Sequence, residues 1–428
     1  MPKNTFSENT QQRPWSSRSS STTGHNHADL AARNRALVLH YLLRHGPASR
    51  AEIARATELT PAAITRIVQN LFAEGFLQDL PEENPKAAAP PSGPGRPPTL
   101  VQLTPDSRWV VGVRLGRGLV EVGITNVLGG IIARRILPLP SDEPPAGVVQ
   151  RASRAVLGLA EEHGLDGSRV LGVGVGASGW VDPVKGLNIR APNLGWSDVP
   201  LGDMFAAALG WPVVVESNVR TMALAEKLLG PGEKADTLVF LYLGPGVGAG
   251  LIVNDRIMYG HQLLAGGIAH VVVDPQGPEC FCGSRGCLEA IASEWALVRR
   301  AQRALALGEA SSLARQDPAT LTAETIFDAA IARDALALSL VEGTAKAAAA
   351  VLAPMIRFMS PEMVFIGGDI TRVGAPFMDT LRRSVDRLLG VQEVSHGDRI
   401  HASTFGSAVG LVGAAALALD AFLYHAIY

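Results

Sequence analysis

A chain of 428 residues is too long to fold around one core, so two or three domains are expected. Its 47% hydrophobic residues and 45 glycines fit a soluble α/β protein. A formal net charge of only -2 excludes a whole-protein field that would draw in a polyanion. The polar, Ser/Thr-rich start has no apolar core of a secretory signal. No apolar run is expected to reach the roughly 18 residues of a membrane span. Both readings lead to the expectation of a cytoplasmic protein with no membrane partner.

Residues 1–27 read as a disordered tail, with little to bury. From Ala28 the apolar residues Ala31, Leu37, Val38, Tyr41 and Leu42 recur at helical spacing, up to Gly46-Pro47. Ser49, followed by Glu52, predicts a capping box for a second short helix. Thr60-Pro61 predicts the cap and first turn of a third, which carries the stripe Ile64, Ile67, Val68, Leu71 and Phe72 and ends at Gly75. Two short helices joined by a tight turn resemble a helix-turn-helix. Strands over 76–78 and 99–103, joined through Gly95-Arg96-Pro97-Pro98, would add a wing. The DNA-contacting positions expected are Thr60, Ala62, Ala63, Thr65, Arg66, Gln69, Asn70 and, at the wing tip, Arg96. Their amide, hydroxyl and guanidinium groups suit base edges and phosphates of a double-stranded operator. The competing reading of this module is a helical protein-interaction unit with a solvated polar face.

Residues 105–107 read as the boundary between a domain at 28–104 and one at 105–428. Three consecutive strands follow, at 109–115, 119–125 and 131–137, then a helix at 146–163 and strands at 170–175, 213–216 and 237–243. Helices dominate 293–359, the strand 363–366 closes the second half, and an Ala-rich helix ends the chain. This order is that of an α/β, two-lobed, actin-like sugar-kinase fold, here preceded by a winged helix-turn-helix domain of the all-α class.

The cysteines are confined to one stretch: Cys280, Cys282 and Cys287, with His270 upstream. Three thiolates and an imidazole complete the ligand set of a closed structural zinc site. Gly283 and Gly286 allow the backbone to curl around an ion. Ordinary thiols or a disulfide are the alternatives, though three cysteines leave one unpaired.

These residues resemble the ROK family (repressors, open reading frames and sugar kinases). The resemblance runs from Ala28 to the end. It rests on Ala269-His270-Val271, on the Cys-x-Cys-Gly-x-x-Gly-Cys-x-Glu run at 280–289, on the Gly-rich segment at 243–250, and on Ala191-Pro192-Asn193-Leu194-Gly195-Trp196. It implies a cleft in which His270 and Glu289 contact sugar hydroxyls, with Asn193, Ser217 and Asn218 nearby. Family kinases take the proton from the attacking hydroxyl with the Asp of a Glu-Asn-Asp segment. This chain reads Glu216-Ser217-Asn218 there, and an amide cannot take that proton. The kinases' Asp-x-Gly-x-Thr turn becomes Arg114-Leu115-Gly116-Arg117-Gly118, and Pro245 removes an N–H from the second phosphate loop. Gly267 stands where the kinases have a sugar-binding Glu.

The resemblance therefore implies no catalytic residues and no phosphoryl transfer. It implies a homodimeric or homotetrameric DNA-binding regulator, a repressor of carbohydrate genes, that answers to a sugar or sugar derivative. A sugar kinase with an appended DNA-binding module, and a regulator governed by a protein partner, are the other readings. Glu289 as a mere helix cap and Asn218 as a turn residue remain open.

Overall fold

The computed structural model describes residues 27–80, 99–140, 142–390 and 397–424. The tail before residue 27, residues 81–98 and therefore Arg96 lie outside the described residues.

The N-terminal module is built from α1 (His27–His45), β1 (Ala48–Ser49), α2 (Arg50–Thr57), α3 (Pro61–Ala73), β2 (Leu77–Asp79) and β3 (Leu100–Leu103). The capping box forms as its spacing predicts. Ser49 Oγ accepts from the Glu52 N–H at 3.2 Å, and the Ser49 N–H donates to the Glu52 carboxylate at 2.8 Å. Thr60 Oγ1 accepts from the Ala63 N–H at 3.3 Å, with Pro61 in the first turn of α3. Ile64, Val68 and Leu71 turn inward against Val38, Leu42 and Ile53. The strands pair antiparallel in the order β1-β3-β2. β1 was not expected: its two residues are too short a run to show period-two alternation.

The first lobe contains β4 (Trp109–Gly116), β5 (Leu119–Asn126), β6 (Ile131–Pro138), α4 (Pro145–Glu162), β7 (Val170–Ala177), β8 (Trp180–Asp182), β9 (Leu187–Ala191), β10 (Trp196–Val199), α5 (Leu201–Leu209), β11 (Val213–Ser217) and α6 (Asn218–Leu229). The second contains β12 (Leu238–Leu243), β13 (Val247–Val253), β14 (Arg256–Ile257), α7 (Leu288–Ala292), α8 (Glu294–Ala306), α9 (Ala323–Ile331), α10 (Ala335–Met359), β15 (Met363–Gly367), α11 (Ala375–Leu389) and β16 (Ile400–Ala402). α12 (Val409–Leu419), continued by a π turn at Asp420–Tyr424, returns to the first lobe. The sheets run β6-β5-β4-β7-β11 and β14-β13-β12-β15-β16. Each is an antiparallel three-strand meander followed by two parallel strands. The same build occurs twice, as a duplicated two-lobed fold requires.

β4 is buried along its whole length, so its two faces meet different layers. Val111, Val113 and Leu115 join the core with Val156 of α4 and Phe205 of α5. Val110 and Gly112 face the other way, toward α12. There the backbones approach so closely that a Cβ at Gly174 would collide with the Ala414 carbonyl.

The expectation of no span-length apolar segment is corrected. The helical stretches 335–359 and 406–424 are long and apolar enough to cross a membrane, with mean hydropathies of 1.5 and 1.8. Each packs more than half of its apolar window inside the protein, against strands and helices of the cores. A buried core helix carries the same composition as a membrane span, so composition alone does not separate them.

The N-terminal module is packed onto the first lobe. Val38, Leu39 and Leu42 of α1 share a core with Leu228 of α6 and with Leu423 and Tyr424. Tyr424 is fully buried and donates to the Val127 carbonyl at 3.0 Å. His40 meets the Tyr424 ring edge-on at 6.3 Å, and Arg44 pairs with Glu233 at 3.4 Å. Burial, helped by Arg44 and Lys227, pushes the His40 imidazole down to about 3.

Candidate functional site

The exposed face of α3 consists of Ala62, Arg66, Gln69 and Asn70, with Ala63 and Thr65 half-buried beside them. Two hydroxyls on this face already serve the helix. Thr60 caps Ala63, and Thr65 Oγ1 donates to the Pro61 carbonyl at 2.8 Å. Arg66 and Asn70 line a groove of about 550 Å³ between α3 and α1, whose far wall holds Asn34 and Arg35. Arg35 is pinned to Glu74 at 2.7 Å and lies over the Phe76 ring. Sequence reasoning passed over Asn34 because nothing local marks the flank of α1 as a neighbour of α3.

His270, Cys280, Cys282 and Cys287 converge, and one ligand atom from each lies within 4.8 Å of every other. Cys282 and Cys287 sulfurs are 3.6 Å apart, as are the Cys280 sulfur and His270 Nδ1. A tetrahedral ion bonded at about 2.3 Å would hold its sulfurs about 3.7 Å from one another, so the donor set fits. All three cysteines are free thiols, with no disulfide among them. Gly283 and Gly286 turn the loop with φ of +91° and +66°. His270 faces the cysteines with Nδ1.

Glu289 sits in the first turn of α7, whose N-cap is Cys287, so its carboxylate is not the cap. It is turned toward the Val247 N–H, near His270 and Arg117. Burial raises its carboxyl above the usual range, and His270, Arg117 and the Val247 N–H pull it back. Asn218 opens α6 and donates through Nδ2 to the Leu115 carbonyl at 2.8 Å and to Ser178 Oγ at 3.3 Å. Its Oδ1 is buried with no hydrogen-bond partner among the described residues, an acceptor available to a hydroxyl. Ser217 is buried, and its Oγ accepts from Arg220 Nε at 3.0 Å. Arg220 also pairs with buried Glu216 at 2.9 Å. Asn193 is exposed in the 3-10 turn Pro192–Leu194.

The corner where the kinases hold their Asp-x-Gly-x-Thr turn is filled by the protein itself. Arg114 lies on the α12 face of β4, and its side chain occupies the space a Cβ at Gly410 would take. It donates to Tyr242 Oη at 2.7 Å and pairs with Glu121 at 3.6 Å. Arg134 closes the network on Glu121 at 2.6 Å. The sequence held a signal for Glu121, since a two-residue turn between β4 and β5 places residue 114 opposite 121. Tyr242, on the second lobe, carried no such signal. A second bridge between the lobes runs from Trp180 Nε1 to the Gln262 carbonyl at 2.9 Å.

Comparison with known proteins agrees with this layout. Residues 32–86 match the model of the MarR family. A xylose repressor of Caldicellulosiruptor bescii is 26% identical over 85% of this chain and 89% of its own. A glucokinase of Thermotoga maritima is 32% identical over 72% of this chain and 96% of its own. The crystal structure of a ROK family transcriptional regulator, a homolog of the E. coli MLC protein, superposes with a TM-score of 0.75 at 26% identity, covering 93% of this chain and 98% of that one. The ROK family model matches residues 110–421, so the chain belongs to the ROK family.

Proposed function

We propose that this chain is a DNA-binding transcriptional regulator, a repressor of carbohydrate genes, whose kinase-derived cleft binds a sugar or sugar derivative. The winged helix-turn-helix in front of the ROK fold supports it, as do relatives that include a xylose repressor. Arg66, Gln69 and Asn70, with Thr60, Ala62, Ala63 and Thr65 around them, face the major groove of the operator, and Arg96 reaches the adjacent backbone. Two copies in a dimer, or four in a tetramer, read a pseudo-palindromic site. The module at 28–104 carries DNA recognition, the fold at 105–428 carries the cleft, and the protein acts in the cytoplasm.

The observation that carries the non-catalytic reading is the buried Arg114–Glu121–Tyr242 network, which fills the corner where phosphoryl transfer needs an acidic metal ligand. Asn218 holds the place of the base and cannot take a proton. His270 Nε2, Glu289 and Asn218 Oδ1 remain as hydrogen-bonding groups for hydroxyls, with Asn193 at the edge. A structural zinc ion on His270, Cys280, Cys282 and Cys287 fixes the His270 ring. Two helices connect the cleft to the DNA module. α6 begins at Asn218 and packs its Leu228 on α1, and α12, starting beside Arg114, leads through its π turn to Tyr424, which meets His40. A sugar that binds one lobe arrangement better than the other shifts the pose of the winged helix through them.

A genome-wide binding map of the tagged protein is expected to give discrete operators near sugar-uptake or catabolic genes. Arg66→Ala should weaken binding to such an operator by roughly 10- to 100-fold at fixed salt, the range of one lost bidentate base contact. Binding no tighter than to random DNA would end the regulator reading. A coupled ADP-release assay with D-xylose, D-glucose and N-acetylglucosamine should show no phosphorylation. Turnover of any of them would establish the kinase reading instead.

A further inference from the structure

The turn between β4 and β5 carries Arg117, and its guanidinium reaches out of the first lobe to the metal loop of the second. It lies 5.9 Å from the centre of the Phe281 ring. Phe281 stands between Cys280 and Cys282, so both neighbours of its backbone are held by the metal ligand set. Phe281 is 75% exposed. Beneath it Trp295 of α8 packs at 4.9 Å with the planes at 52°, and Arg299 lies 5.8 Å from the Trp295 ring. Trp295 is in turn packed on Cys280, Cys287 and Ala290. The result is a four-membered ladder, guanidinium–phenyl–indole–guanidinium, that starts on one lobe and ends on the other. Arg117 and Trp295 of the ladder also line an open cavity of about 250 Å³, together with Pro245, Glu294, Val298 and Ala323.

We propose that Arg117 is the positioning residue that closes this cleft. It clasps the first lobe to the metal loop through Phe281, so the metal sets lobe closure as well as the orientation of His270. Protein side chains bridge the lobes at this turn, and closure requires no nucleotide. Removing a bound metal takes away the anchors on both sides of Phe281 and loosens the clasp.

Amide hydrogen exchange of the full-length, metal-loaded protein tests this, read at residues 116–119. Arg117→Ala and Phe281→Leu should each speed exchange there by about two- to fivefold, the factor that one exposed cation–π contact supplies. Metal content should stay at the wild-type level in both. The double variant should exchange no faster than either single one, because both remove the same contact. Wild-type protein stripped with a chelator should match Phe281→Leu, and Mg-ATP should leave the rates unchanged. Unaltered exchange in both variants, additive effects, or protection that survives metal removal would overturn the clasp. Protection gained on adding Mg-ATP would overturn closure without a nucleotide. None of these readouts uses DNA or a sugar, so failure here leaves the regulator reading standing, and failure of that reading leaves the clasp standing.

Discussion

Cys282→Ser is expected to lose the metal and to lower the melting temperature, with a stability loss of several kcal/mol. Structural zinc sites bind with an apparent 10–16 kcal/mol or so, and a hydroxyl is a poor substitute for a thiolate. Cys282 is the exposed thiol of the set, so the change disturbs little packing and isolates the ligand effect. Metal analysis per chain and a thermal melt measure the two consequences directly. Full metal content with an unshifted melt would remove the site from the structure's supports. A third readout distinguishes a wall of the cleft from a staple. If the metal orients His270 for a hydroxyl, operator release by an inducing sugar disappears together with the metal. If release persists in metal-free protein, the loop serves stability alone.

The second large effect lies at the far end of α12. Asp420 is completely buried, its Oδ1 has no hydrogen-bond partner among the described residues, and burial pushes its carboxyl up to about 7. The folded protein therefore keeps this proton between about pH 4 and 7, while the unfolded chain has released it. Protons bound in excess by the folded state mean that stability falls as pH rises through that window and levels off above it. Asp420→Asn keeps the shape and removes the titration. At pH 8 it should stabilise the protein by on the order of 2–4 kcal/mol, and near pH 4 by close to nothing. Glu294, raised to about 7 by burial and Asp369 against the pull of Arg114, contributes a slope of the same sign that the variant retains. Urea midpoints at pH 4, 6 and 8 give the comparison. An equal shift at every pH would mean that Asp420 is ionised in the folded state.

Much of this molecule was legible residue by residue. The caps at Ser49 and Thr60 are local hydrogen bonds between neighbours in sequence, so their spacing alone announces them. The metal cluster was legible because few residue types bind soft metals and here they crowd one loop. Other elements gave no local signal. β13 read as a glycine-rich loop, although Gly248 and Gly250 are small because α6 lies against them. The meander β8-β9-β10 is made of strands of three to five residues that only pairing defines. Ser217 read as a ligand residue from its place in the motif. The fold adds a partner that the motif did not show: the Ser217 hydroxyl accepts from Arg220, which also pairs with Glu216.

By itself, then, the sequence determined the order of modules, the helix caps, the clustering of His270 with the three cysteines and the amide at position 218. All of these depend on residue type and short-range spacing. The tertiary structure decided which groups from the second lobe meet Arg114 and Arg117. The first read as an aspartate lost from a kinase motif, and the second fell on a variable position of the same turn. Folding places Tyr242 and Glu121 around the first, and Phe281 of the metal loop beneath the second. A charge is satisfied by whatever the fold brings within a few ångströms of it, and Tyr242 and Phe281 lie far away along the chain from the guanidiniums they meet.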